Sequence, residues 1–266
     1  MKRFEEKVKR VVIKVGTSSI THKNGTVDLS KIEDLSWAIA DLKNHGVEVV
    51  LVSSAAISCG TKFLGLEERP RDTIGKQATS AVGQVVLMNT YKKAMNDFGY
   101  NIAQLLITRQ IETDPIMYEN TINVFEKLLD MDVVPIVNEN DTISTEEIEY
   151  GDNDTLSAVV ARFIHADLLI ILSDIDGLYD DDPHRNPDAK LITEVNEFDQ
   201  SLFQIAKGSN TKVGTGGMVT KINACRLCLD QYIDVVIASG EDMNIIRRIV
   251  NGEEIGTIFR KRRAEC

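Results

Sequence analysis

The chain has 266 residues, of which 43% are hydrophobic, and a formal net charge of −11 at pH 7. That is ample apolar material for one large α/β domain, although length alone would admit two. The acidic balance argues against nucleic acid as a main partner, because phosphate neutralisation needs a basic face. No apolar run approaches the roughly 18 residues of a membrane span, and the opening MKRFEEKVKR lacks the apolar stretch of a secretory signal.

The predicted elements alternate almost throughout. Arg10 to Val15 is an apolar run. Leu29 to Asn44 has helical spacing (Ile32, Leu35, Ile39, Leu42) and is closed by Gly46. Val47 to Val52 is a second strand, and Thr73 to Phe98 reads as a helix stopped by Gly99. Ile102 to Ile107, Val133 to Val137, Leu168 to Leu172 and Val235 to Ala238 are further β-branched runs without polar alternation. Such runs imply strands buried on both faces, hence a mainly parallel sheet covered by helices on each side. The expected fold is therefore a three-layer α/β/α sandwich formed by residues 1–266 as one domain.

Cys59, Cys225, Cys228 and Cys266 supply one C-x-x-C pair and no second pair at zinc spacing, so they are read as buried small hydrophobes. Free thiols fit a reducing cytoplasm. The basic tail Arg260-Lys261-Arg262-Arg263 reads as frayed and solvated.

Chemistry gathers at strand ends, which in open α/β sheets face the ligand crevice. Lys14 sits inside an apolar strand, where a charge is costly unless something pairs with it, and Gly16 and hydroxyls follow. Ser53-Ser54-Ala55-Ala56 puts small residues at a helix start, where N–H groups can face an anion. The strand ending at Val137 is followed by Asn138-Glu139-Asn140-Asp141 and, after an acidic arm from Ser144 to Tyr150, by Gly151-Asp152-Asn153-Asp154. These two polar batches, the second opening an apolar helix, suit a small zwitterionic ligand. Ser173-Asp174-Ile175-Asp176-Gly177 suits a nucleotide base or ribose. Gly214-Thr215-Gly216-Gly217-Met218-Val219-Thr220-Lys221 lets backbone amides and one full charge converge on phosphate at a helix start. Its spacing is not that of a Walker A loop.

These stretches, VVIKVGTSSI, VLVSSAAISCG, VPIVNENDTI, YGDNDTLSA, LLIILSDIDGLY, GTGGMVTK and the closing GTIF, occur in one order along the whole chain, and in that order the chain resembles the amino acid kinase family. Within it the NEND and GDND batches are similar to those of members that phosphorylate glutamate with ATP and open proline biosynthesis. The resemblance implies that Lys14 and Lys221 flank the transferring phosphoryl group and that Asp154 holds them. It implies that Ser54, Asp141 and Asn153 bind glutamate, with Asp141 on the α-ammonium and Ser54 and Asn153 donating to carboxylate oxygens. ATP would meet Lys14, Ser173, Asp174 and the run Thr215, Gly216, Gly217, Met218, Val219, Thr220 and Lys221.

A lobe over about residues 1–165 would hold glutamate and one over about 166–260 would hold ATP. Mg²⁺ would travel with ATP, with no protein metal site. No general base is needed, since a γ-carboxylate is ionised at neutral pH, which accounts for the absence of the four histidines from every motif. Proline as feedback inhibitor, a homo-oligomer, contact with glutamyl phosphate reductase and a cytoplasmic location complete the implied picture, with neither membrane nor nucleic acid. Two departures stand out. Ala55 replaces a glycine usual in the family, and the C-terminal PUA domain of many members is expected to be missing. The alternatives are a same-fold enzyme with another acceptor and a non-catalytic amino-acid-binding regulator.

Overall fold

The computed structural model describes residues 3–4, 6–143, 153–181, 183, 186–198, 202 and 217–261. The chain opens with β1 (Arg10–Val15), a short helix α1 (Thr17–Ile20) and α2 (Leu29–Asn44), whose first turn is capped by Asp28 accepting from Lys31 N. Next come β2 (Glu48–Ser53), α3 (Ala56–Phe63) and the long α4 (Thr73–Asp97), started by the Asp72 carboxylate accepting from Gly75 N. After β3 (Ile102–Ile107), α5 (Pro115–Asp130) begins with proline in its first turn, where a missing N–H costs nothing. It leads to β4 (Val134–Glu139), α6 (Asn153–Phe163) and β5 (Leu168–Ser173). Three two-residue strands follow, β6 (Leu178–Tyr179), β7 (Leu191–Ile192) and β8 (Glu194–Val195). The described chain closes with α7 (Met218–Leu229), β9 (Asp234–Ser239), α8 (Ile245–Val250) and β10 (Thr257–Phe259).

The main sheet runs β3-β4-β2-β1-β5-β9-β10-β8, with every neighbouring pair parallel except β9 and β10. Alternate residues of its central strands face opposite ways, as the strand period requires. Val11, Ile13 and Val15 of β1 join Val49, Leu51, Ile170 and residues of α2, α4 and α8 in one apolar layer. Val12, with Val50, Val52, Leu169 and Ile171, joins α5, α6 and α7 in the other. The sandwich is therefore three-layered, as expected. One expectation needs correction: β3 is an edge strand, and much of it is open to solvent, Gln104 included. Arg260 is also half-buried rather than frayed, donating to Arg3 O.

The chain builds β2, β3 and β4 to one side of β1, then crosses to place β5 on the other. That reversal is the topological switch point at which ligands of open α/β sheets bind. Register aligns the tips: Val15 lies opposite both Ser53 and Leu172. Cys59, Cys225 and Cys228 are free and buried, and burial pushes the Cys59 and Cys228 thiols up to about 11 and about 12. Among the described residues no helix is long and apolar enough to cross a membrane. Cys266 and the arm from Ser144 to Tyr150 lie outside the described residues.

Candidate active site

Lys14 is on the same face of β1 as Val12, so its side chain enters the layer occupied by α6 and α7. Charge is tolerated there because both helices begin with polar residues aimed at it. Asp154, in the first turn of α6, receives Lys14 Nζ at 2.6 Å on Oδ1 and Lys221 Nζ at 3.1 Å on Oδ2. Thr220 Oγ1 donates to the same Oδ2 at 3.0 Å. The Asp154 side chain is 0% exposed and the lysines 9% and 6%. Burial by itself would raise the Asp154 carboxyl, but the two ammonium groups outweigh it and hold the group well below the usual carboxylate range. The trio is thus one anion between two cations, a net single positive charge at the crevice.

Asn153, one residue earlier, faces the other way. Its Nδ2 lies 2.9 Å from Ser54 Oγ, 2.9 Å from Asn138 Oδ1 and 3.2 Å from Ser53 O. Those contacts tie the start of α6 to the tips of β2 and β4. Where the sequence reading has Asn153 donating to a carboxylate, its amide nitrogen here faces three protein oxygens. The atom left over is Oδ1, an acceptor, buried and without a hydrogen-bond partner among the described residues.

Asp141 lies on the turn after β4 and is 5% exposed. Its Oδ2 accepts from Ser80 Oγ, while Oδ1 is buried and has no partner among the described residues. Burial raises the Asp141 carboxyl above its ordinary value, against the opposing pulls of the Ser80 hydroxyl and of Arg69. Buried polar atoms are nearly always satisfied, so each of these open acceptors suits a cationic donor. Ala55, beside Ser54, has φ +84° in the left-handed region. That geometry is one glycine adopts freely, and it costs a residue with a Cβ about 1–2 kcal/mol.

At the far side, Ser173 Oγ donates to Asp174 Oδ1 at 3.0 Å, with Ser173 buried and Asp174 exposed at the tip of β5. Gly217 caps α7 in extended conformation, and Val219 and Thr220 are half-buried along its first turn. The Met218 side chain is buried in the apolar layer, which leaves its backbone for a ligand. Thr215 and Gly216 lie outside the described residues.

Sequence reasoning missed helix α4 altogether as a supplier of polar groups. Ser80, Gln84 and Tyr91 are 1%, 6% and 1% exposed. Ser80 reaches Asp141, and the Tyr91 hydroxyl lies 2.9 Å from Ser53 Oγ. Spacings of four and seven residues put all three on one helical face. A polar stripe where an apolar one is due was the available signal.

The chain belongs to the amino acid kinase family, whose model matches residues 9–239. Among its relatives, the glutamate 5-kinase of Clostridium perfringens is 46% identical, covering 100% of both chains. That of Caldanaerobacter subterraneus subsp. tengcongensis is 50% identical over 94% of this chain and 67% of its own length. Solved structures share the fold at low identity. UMP kinase from Bacillus anthracis is 16% identical with a TM-score of 0.64, covering 97% of this chain and 98% of its own. Carbamate kinase from Giardia lamblia bound to AMP-PNP is 17% identical with a TM-score of 0.67, covering 96% and 99%.

Proposed function

We propose that the protein transfers the γ-phosphoryl group of ATP to the γ-carboxylate of L-glutamate, giving L-glutamyl 5-phosphate, the first step of proline biosynthesis. Relatives named glutamate 5-kinase match over the whole chain. The observation that carries the reading is the adjacency at the start of α6. Asp154 clamps two lysines while its neighbour Asn153 keeps an open acceptor, as does Asp141 on the turn after β4.

In this reading a γ-carboxylate oxygen bonds to the γ-phosphorus while the bond to the β–γ bridging oxygen breaks, and ADP leaves with that electron pair. No proton moves, since the nucleophile, with a reference pKa of about 4.3, is ionised at neutral pH. Lys14 and Lys221 offset charge developing on the transferring oxygens, which is the main catalytic resource in phosphoryl transfer. Asp154 keeps both cations at fixed separation. Asp141 Oδ1 and Asn153 Oδ1 accept from the α-ammonium, and Ser54 supplies a hydroxyl to a carboxylate.

The nucleotide takes the β5 tip, Ser173 and Asp174, and the Gly-rich run through Lys221. The lobe before about residue 165 holds glutamate and the lobe after it holds ATP. The nucleotide would enter as its Mg²⁺ complex, with phosphates rather than protein side chains as the main holders of the ion. Proline, sharing the ammonium and α-carboxylate, would compete at the Asp141 end. A cytoplasmic location fits this reading, since ATP and glutamate are cytoplasmic metabolites.

The test is ADP release with glutamate, N-acetylglutamate, aspartate and UMP offered separately. Turnover with glutamate well above the other three is expected. Preference for any other acceptor, or none, overturns the assignment.

A further inference from the structure

The proposed function leaves one question at its acceptor end: what aims the Asp141 carboxylate. The residue stands on a turn, Ile143 N donating to Asn140 O at 3.1 Å, so its backbone alone leaves the side-chain torsions free. Its one hydrogen-bond donor among the described residues is Ser80 Oγ, sixty-one positions earlier on α4. Ser80 is 1% exposed, so the hydroxyl is out of reach of bulk solvent.

The mount of that hydroxyl is rigid for a physical reason. Helices α3 and α4 cross at two glycines. A Cβ on Gly83 would stand 1.7 Å from Ala56 O, and one on Gly60 would stand 1.9 Å from Thr79 O. Only backbone-to-backbone contact fits there. The same α3 begins at the Ser54–Ala55 turn. Ser80 is therefore fixed relative to the β2 tip by the crossing and relative to the β4 turn by its own hydrogen bond.

We infer that Ser80 is a positioning residue for amino-acid binding. By holding Oδ2 of Asp141 it turns Oδ1 toward the ammonium of the substrate. This inference rests on the proposed role of Asp141. The hydroxyl contributes nothing to the phosphoryl end, where Asp154 is held by its own two lysines. It acts on binding and leaves the chemical step alone.

The test is a double-mutant cycle read on glutamate. Ser80→Ala should raise the glutamate KM about tenfold, the scale for losing a hydrogen bond to a buried charged group. Its kcat should stay within about twofold, because the transition-state contacts are untouched. In an Asp141→Ala background the same Ser80→Ala change should alter kcat/KM for glutamate less than about twofold, since its target has gone. Ser80→Cys keeps the volume and weakens the donor, and should shift KM in the same direction.

Equal losses in both backgrounds, or a fall in kcat at unchanged KM, overturn the inference. Should the wild type prefer another acceptor, the proposed function fails by itself. The cycle is then read on melting temperature without substrate, where coupling between the two side chains supports the contact and strict additivity removes it.

Discussion

Asn153 and Asp154 are joined by one peptide bond, yet the two ends of the site they serve are built on opposite terms. At the end proposed to hold the phosphoryl group, both oxygens of Asp154 are taken by lysines, and the carboxyl is held below its usual range. At the proposed acceptor end, Asp141 keeps one oxygen without a partner among the described residues, and burial pushes its carboxyl up. A carboxylate that must stay charged through every turnover is stored with its counter-ions. In the proposed reaction, one that waits for a charged ligand is stored short of them, so an ammonium group would relieve a cost that burial imposes.

The largest break in this contrast should come from Lys221→Ala, which removes one cation of the trio. We expect kcat to fall about 100-fold or more, as for loss of a charge on the transition state, with the glutamate KM little changed. Steady-state kinetics decide it, and near-wild-type turnover would put the phosphoryl group elsewhere.

Asp141→Asn should act on the other end and somewhat less strongly. It keeps shape and loses charge, so glutamate KM should rise on the order of tenfold or more while the ATP KM holds. An unchanged glutamate KM would remove Asp141 from the substrate site.

Acidification sharpens the comparison because the two carboxyls are shifted in opposite directions. The folded pKa of Asp141 is raised, so this group takes up its proton before a reference carboxyl near 3.9 does. Its burial cost is thereby relieved, and stability gains from this group as pH falls through that raised value. Glutamate KM should rise over the same window. The glutamate γ-carboxyl itself titrates nearby, so the difference between wild-type and Asp141→Asn profiles isolates the protein group. Asp154 is depressed, so its contribution is intact above about 3.9 and is lost only as pH falls below that toward its folded value. A KM profile identical in the two proteins would contradict the assignment.

The smallest effect belongs to Ala55→Gly. Relief of the left-handed strain, less the entropy glycine adds to the unfolded chain, should leave a gain of at most about 1 kcal/mol. For a chain this size that is a rise of roughly 2–4 °C in Tm. A lowered Tm would mean that the Ala55 methyl packs favourably despite its backbone.

The bounds of an element were legible wherever its apolar run or helical spacing is unbroken, even at the exposed edge strand β3. β1, β3 and α2 begin and end where the apolar runs and helical spacing place them. The reading stopped short at β4 and β5, which continue through Asn138, Glu139 and Ser173. A run judged by hydrophobicity ends at the first polar residue, and at a working strand tip that residue is still strand. β10, three residues paired antiparallel, is too short to show a period. In the site, the clustering of Lys14, Asp154 and Lys221 agrees with the family motifs. The direction of the Asn153 amide was not legible, because Ser53, which helps fix it, is 100 positions away. Ser80 was hidden for a related reason, since a hydroxyl in mid-helix looks like packing until its tertiary partner is known.

The net positive trio sits in a chain whose formal charge is −11. A polyanionic nucleotide therefore meets repulsion at a distance and attraction only at contact. Dissolved salt screens the first, with a Debye length of about 8 Å at physiological ionic strength, and barely reaches the second, which is buried. Adding salt should then quicken the encounter with the nucleotide, the reverse of the behaviour of proteins that draw their ligands in with a field of opposite sign.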